Sequence, residues 1–239
     1  MSTYLELANK LASESGASGA ASAISAVTGQ TGQALRIVNW IALAYTEIQR
    51  RHDQWRWLRS TFTVDTVASD DTYAYGDVTD SRLSAVITRF ARWWPHDEQG
   101  AANFKRYLTA SGVGVETWMT YLPWSYFRSI YKIGTQNNGP IIHFTIDPQN
   151  NIVIGPKPDA IYTVTGEYQM AAQVLAADGD TPEMPANFHD LIVYRAMEKY
   201  GRFYAAGEVL ERGEVEGGRL MRQLERDQLP AISLAEPLA

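Results

Sequence analysis

The 239-residue chain has no cysteine, which removes disulfides, thiolate nucleophiles and Cys-based zinc or iron–sulfur sites. It also lacks a surplus of positive charge. With 21 Lys and Arg against 27 Asp and Glu, the formal net charge is −6, which argues against gripping nucleic acid by neutralising phosphates. Long apolar runs are missing too. The longest uncharged stretch, Ser15 to Leu35, is mostly Ser, Gly, Ala, Thr and Gln, too polar for a spanning helix. Met1 to Lys10 carries Glu6 and no apolar run of signal-peptide length, so the expectation is a cytoplasmic origin with no membrane segment.

Reaction motifs are equally scarce. The nearest approach to a phosphate-cradling loop, Gly134 to Gly139, is followed by Pro140 where a Lys is needed. Gly112-Val113-Gly114 lacks the third glycine of a dinucleotide site, and no nucleophile-elbow or His-Glu-x-x-His pattern occurs. The four histidines, His52, His96, His143 and His189, are far apart, so a triad or metal site has to be assembled wholly by the fold. His189-Asp190 opens a helix and is expected to face solvent or cap it, and His52 is expected to be exposed. Asp178, Asp180 and Glu183 could offer oxygens to a divalent cation, but the prolines around them favour a turn leading into a helix. No cofactor is expected.

What the chain does have is 45% hydrophobic residues and seven Trp, enough for a sizeable core. Tyr4, Leu5, Leu7, Ala8 and Leu11 keep helical spacing behind a Ser2-Thr3 cap, predicting a helix to about Ser13. A small-residue loop to Gly29 follows. Ile37, Trp40, Ile41, Ala44, Ile48, Trp55 and Leu58 then hold a period near 3.6, predicting a helix from Thr31 or Gly32 to about Ser60. Its other side carries Arg36, Glu47, Arg50, Arg51, Asp53, Arg56 and Arg59. The reading preferred for this basic side is a solvated face with ion pairs such as Glu47 to Arg50 or Arg51, ahead of a nucleic-acid contact.

From Thr61 the period becomes two. Phe62, Val64 and Thr66-Val67, the Ser69-Asp70-Asp71 turn, then Tyr73 and Tyr75 predict a hairpin. Further strands are expected within 84–94, 102–109, 115–121, 141–146, 151–154 and 161–170, with a short helix near 123–131. Beyond Pro185 the helical period returns through Phe188, Leu191, Ile192, Ala196, Tyr200 and Phe203. A break at Ala206-Gly207 leads to a charged stretch to Gln228, and the two segments are expected to form an antiparallel pair. Gly213, Gly217 and Gly218 count against a continuous helix in the second of them. Trp55, Trp57, Trp93, Trp94, Trp118 and Trp124 are expected in the core or at a subunit interface, ahead of a sugar- or base-stacking surface.

The expected architecture is α+β: N- and C-terminal helices form a helical bundle framework (1–60 with 180–228) around an inserted, mostly antiparallel β region (61–179), with an extended tail at 229–239.

Several stretches together resemble one family. They are Tyr4-Leu5-Glu6-Leu7, Ser15-Gly16, Thr28-Gly29-Gln30-Thr31-Gly32, Val38-Asn39-Trp40-Ile41, Glu47-Ile48-Gln49, and Trp55-Arg56-Trp57-Leu58-Arg59. Later come Phe127-Arg128 with Tyr131, Ile154-Gly155-Pro156-Lys157-Pro158-Asp159, Tyr162 to Tyr168, Asp178-Gly179-Asp180-Thr181-Pro182, Phe188-His189, Val193-Tyr194-Arg195-Ala196, Tyr200-Gly201 and Gln228-Leu229-Pro230. In this order over nearly the whole chain, they resemble the head-to-tail adaptor (connector) proteins of tailed bacteriophages.

The resemblance implies a structural virion protein, not an enzyme. It implies a homo-oligomeric ring, usually of twelve subunits, bound to the portal protein in the neck between capsid and tail. Such a ring continues the DNA channel, passes genomic dsDNA without sequence-specific binding, and offers a platform to a tail or nozzle protein. It is made in the host bacterial cytoplasm and involves no membrane. The candidate portal or subunit contacts are Arg50, Arg51, Trp55, Arg56, Trp57, Arg59, Leu229, Pro230, Ile232 and Leu234. An acidic lumen would let DNA slide. The competing readings are another neck or tail component (a stopper or tail terminator), an enzyme of unfamiliar type, and a tail-associated carbohydrate-binding module.

Overall fold

The computed structural model describes residues 2–16 and 23–230. Among them five α-helices form: α1 Tyr4–Glu14, α2 Gly32–Arg51, α3 Trp124–Tyr131, α4 His189–Tyr204 and α5 Gly207–Gln228. The chain divides into two compact units, Met1–Leu58 with Ala172–Ala239, and Arg59–Ala171. The expected α+β architecture, with terminal helices and a central β region, is what forms.

In the helical unit, α1 starts with reciprocal capping. Thr3 Oγ1 accepts from the Glu6 amide at 3.2 Å and Glu6 Oε2 accepts from the Thr3 amide at 2.9 Å, so two otherwise unpaired donors are satisfied. Tyr4, Leu7, Ala8 and Leu11 are its buried face. The predicted loop falls partly on residues 17–22, which lie outside the described residues.

Helix α2 is shorter than its periodicity suggested. It ends at Arg51, not near Ser60, and the backbone of His52 is extended. Trp55 still belongs to the apolar stripe, but from a turn. Its Nε1 donates to the carbonyls of Ile48 and Gln49 at 3.2 and 3.0 Å, satisfying acceptors that the end of the helix leaves unpaired. Arg56–Leu58 then form a single 3-10 turn.

Helices α4 and α5 form an antiparallel pair, joined through Ala205 in the left-handed region at φ 53°. Contrary to the doubt raised by its glycines, α5 is continuous. Gly213 and Gly217 are buried against α4, and a Cβ built on Gly213 would lie 2.8 Å from the Tyr194 carbonyl oxygen. The glycines let two backbones approach, which offsets their poor helix propensity.

The β unit is organised around two long strands. Arg59–Asp65 pairs antiparallel with Tyr162–Gln169 along its whole length, from Arg59 opposite Gln169 to Asp65 opposite Thr163. Short strands Thr79–Asp80 and Ala85–Val86 extend one side; Arg92–Trp94, Lys105–Leu108 and Thr117–Trp118 extend the other. A second sheet joins Thr72–Tyr73, Ile152–Gly155, His143–Ile146 and Thr120–Tyr121. The expected hairpin of Phe62–Val67 with Tyr73–Tyr75 is therefore not formed: Thr72–Tyr73 pairs with Ile152–Val153 in the other sheet. Local turn chemistry redirects the chain there without choosing its partner.

Phe62, Trp93, Phe104, Phe144 and Tyr168 fill the core of this unit. Gly166 sits opposite Phe62, where a Cβ would come within 2.8 Å of the Phe62 ring and 2.5 Å of Phe104.

One charged group lies inside this core. Asp80 is 1% exposed; Tyr168 Oη and Ser60 Oγ donate to its Oδ2, and the Arg82 and Leu83 amides donate to its Oδ1. Burial pushes its carboxyl up, but the hydrogen bonds from Tyr168, the Leu83 amide, Ser60 and the Arg82 amide outweigh that and hold it below its ordinary value. A depressed folded-state pKa contributes stability above the unfolded value, and that stability is lost as pH falls through the folded value. Asp80→Asn is expected to cost about 1–3 kcal/mol at pH 7, with the gap to wild type closing below about pH 4. Urea unfolding of both proteins across this range checks it; a pH-independent gap would show that the carboxylate charge is irrelevant.

Candidate functional site

The candidate contact residues from Arg50 to Arg59, expected on a helix running to about Ser60, are instead divided among three elements. Arg50 and Arg51 are in the last turn of α2, Arg56 and Trp57 in the following turn, and Arg59 is the first strand residue of the β unit. Trp55 has no exposed surface, so it belongs to the core of the helical unit and not to a contact surface. Leu229 and Pro230 are half-buried at the end of α5, and Ile232 and Leu234 lie outside the described residues.

At the ends of α2 and α5, Glu225 Oε1 meets Arg51 Nε at 2.9 Å and His52 Nε2 at 3.0 Å. Burial raises the Glu225 carboxyl; its hydrogen bonds and charge interactions with His52 and Arg51 overcome this and lower it. His52, expected to be exposed, is half-buried, and its ring meets Trp55 edge-on at 5.0 Å. Trp55 stacks on Trp57 at 4.3 Å.

Glu47, expected to pair with Arg50 or Arg51, binds Lys199 Nζ of α4 at 2.6 Å instead. It lines a groove of about 260 Å³ between α2, α4 and α5, with Arg51, Arg195, Glu198, Lys199 and Arg202. Each of the four cations has a carboxylate within 4 Å: Glu225, Glu198, Glu47 and Glu214, respectively. Three of these pairs join one helix to another, Arg195–Glu198 lies within α4, and no cation of the groove is without a counter-charge.

In the β unit, the guanidinium groups of Arg59 and Arg92 lie 4.3 and 4.6 Å from the centre of the Trp94 ring. Arg59 also approaches Glu98 at 3.4 Å and Glu167 at 3.9 Å. Arg59 is thus part of the packing of its own sheet. A concavity of about 430 Å³ on the same sheet is lined by Asn103, Lys105, Trp118, Thr165 and Glu167 among others. Trp118 is 62% exposed there, with Lys105 Nζ 4.5 Å from its ring centre.

The Trp residues form no common platform. Trp55, Trp93 and Trp94 are buried, Trp57 stacks on Trp55, and Trp124 stacks on Phe127 at 6.4 Å. Asp178 Oδ1 accepts from the Val27 amide, and Asp180 Oδ2 from the Ala176 and Ala177 amides, which holds both carboxylates in turns. Among the described residues no group of three His, Cys, Asp or Glu could hold a metal ion. His189, expected to face solvent or cap its helix, is 2% exposed: its Nδ1 accepts from the Ser2 amide and its Nε2 donates to the Met184 carbonyl.

Sequence reasoning missed one surface feature. Trp40, assigned to the buried stripe, is only half-buried and packs on Tyr200, Phe203 and Tyr204 of α4, with Arg36 Cζ 4.7 Å from the Phe203 ring centre. Phe203 is 56% exposed. A signal was present: Trp40 lies about 100° from Ile41 around the helix, at the margin of the stripe.

Clusters of Trp, Tyr, Phe and Arg at the surface are the composition of protein–protein contacts. Residues 2–232 match the model of the SU10 adaptor protein, and the chain belongs to that family of bacteriophage adaptors. No match is found among curated proteins. No helix of the described residues is long and apolar enough to cross a membrane.

Proposed function

We propose that the protein is a head-to-tail adaptor of the virion neck: a ring of copies, expected to number twelve, that binds the portal, continues the DNA channel and gives the tail or nozzle its docking platform. The observation that carries this reading is a family match extending over both units of the chain. The net charge of −6 supports a lumen that repels phosphate, so that double-stranded DNA slides through without being read. On this reading the protein carries out no reaction and needs no cofactor. The portal and subunit contacts are drawn from Arg50, Arg51, Arg56, Trp57 and Arg59 together with the segment Leu229, Pro230, Ile232 and Leu234.

The test is the mass, by light scattering on a sizing column, of the protein alone and mixed with the portal of the same phage. A joint peak with about one copy per portal subunit is expected, because a template raises the effective concentration of weak repeated contacts. A chain ending at Gln228 is expected to lose that peak while remaining folded. A stable monomer that ignores the portal would overturn the reading in favour of a stopper, a tail terminator or a sugar-binding module.

A further inference from the structure

The helical unit presents two exposed stripes, one on α2 and one on α5, whose charged members keep intrachain contacts only along one edge: Arg36 and Glu47 touch α4, and Arg219 pairs with Glu216 of its own helix. Helix α2 runs antiparallel to α4, since Arg36 meets Tyr204 and Glu47 meets Lys199. Helix α5 is antiparallel to α4 in turn, since Gly201 faces Leu210 and Tyr194 faces Gly213. The outer two helices are therefore parallel to each other, which the Arg51–Glu225 pair at their C-terminal ends agrees with.

At about 100° per residue, Arg36, Leu43, Glu47 and Arg50 form one line on α2 opposite buried Ile41 and Tyr45. On α5 the line opposite buried Gly213, Gly217, Met221 and Leu224 is Glu208, Val215, Arg219 and Arg222. All eight stripe residues but two are charged, and the two apolar ones are well exposed, Leu43 at 52% and Val215 at 60%. Both stripes step through the sequence by seven, four and three residues.

Laid side by side in parallel, they place Arg36 against Glu208, Leu43 against Val215 and Glu47 against Arg219. Only Arg50 against Arg222 is a like-charge pair. Reversed, the same helices again set Leu43 against Val215 and bring Arg50 against Glu208, but they set Arg36 against Arg222 and Glu47 against Glu211, so one attractive pair faces two repulsive ones. The charge pattern thus selects the parallel arrangement. A ring whose axis runs along these helices preserves their direction and so sets α2 of one copy parallel to α5 of the next. A contact between two different patches is what a closed ring of identical subunits requires.

We propose that the α2 stripe of each copy docks on the α5 stripe of its neighbour, with Leu43 on Val215 at the centre and the Arg36–Glu208 and Glu47–Arg219 pairs on either side. Trp40 flanks this seam and supplies its aromatic anchor. The contact rests on the ring reading given above, and it names the surfaces that close the ring.

The absence of native cysteine allows a direct test. Leu43→Cys and Val215→Cys are prepared as separate full-length proteins and mixed under mild oxidation, alone and on the portal. Several-fold more covalent dimer is expected from the mixture than from either variant alone, because the contact joins unlike patches; a disulfide needs Cα atoms about 5–6 Å apart. Separately, Arg222→Glu replaces the one repulsive pair and is expected to tighten self-association about threefold, while Glu208→Arg, which sets two arginines against each other, weakens it by a similar factor. A gain of assembly cannot come from misfolding.

Wild-type assembly accompanied by equal cross-linking in mixture and single variants, or by no cross-linking, would overturn the contact and leave the ring reading standing. Absence of any wild-type assembly, alone or with the portal, would overturn both.

Discussion

Trp55→Ala is expected to lower the unfolding free energy by about 3–5 kcal/mol, the largest loss from any single truncation considered for this chain. Trp55 is fully buried, stacks on Trp57 and meets the His52 ring edge-on. It also closes the end of α2, because its Nε1–H serves the carbonyls of both Ile48 and Gln49. Truncation therefore opens a cavity the size of an indole and leaves those buried acceptors without this donor. Trp55→Phe separates the two contributions. It retains most of the apolar area and removes only the donor, so a smaller cost of about 1–3 kcal/mol is expected. Urea unfolding followed by circular dichroism measures both variants. A loss below about 1 kcal/mol for Trp55→Ala would mean that this indole does not hold the turn in place.

A second expectation turns on sign. Gly213→Ala and Gly218→Ala lie five residues apart on the same helix, and both raise helix propensity by about 1 kcal/mol. At Gly213 the new Cβ would stand 2.8 Å from the Tyr194 carbonyl oxygen and 3.1 Å from the Glu198 amide nitrogen, both backbone atoms that give way only if α4 and α5 move apart. At Gly218 the nearest atom is the end of the Arg222 side chain, 3.6 Å away and free to turn aside. Gly213→Ala is thus expected to destabilise by about 1–3 kcal/mol and Gly218→Ala to stabilise by about 0.5–1 kcal/mol. Thermal unfolding compares them directly. Changes of the same sign at both positions would show that the close approach of α4 and α5 does not govern this part of the helix.

The two positions also mark what a sequence can convey. A glycine weakens a helix by its own propensity, which is visible in the sequence; that it admits Tyr194 is a fact about a neighbour, which is not. The helical stripes of α1, α2 and α4 were legible because a period of 3.6 reports burial. The end of α2 was misjudged for the same reason: Trp55 and Leu58 stay buried in phase after the backbone has left the helix. Period two likewise gave the buried face of Phe62 and Val64 while leaving open their partner strand, Tyr162–Gln169, about a hundred residues away. His189 is buried by the Ser2 amide and the Met184 carbonyl, contacts that its helix-opening position does not announce. Of the candidate contact surface, the charges on α2 were legible, but their separation from Arg59, which opens the β unit, depended on where the helix stops.

The pairing of Arg59 with Gln169 bears on how the chain reaches its native state. The helical unit is made of two segments separated by residues 59–171. Bringing their ends together across a disordered span of that length costs on the order of 4 kcal/mol in chain entropy. Once the two long strands have zipped, those ends already lie side by side, and α1 and α2 meet α4 and α5 as if joined by a tight turn. The intervening segment thus acts as its own clasp, making a contact that is remote along the chain effectively local once the two strands are paired.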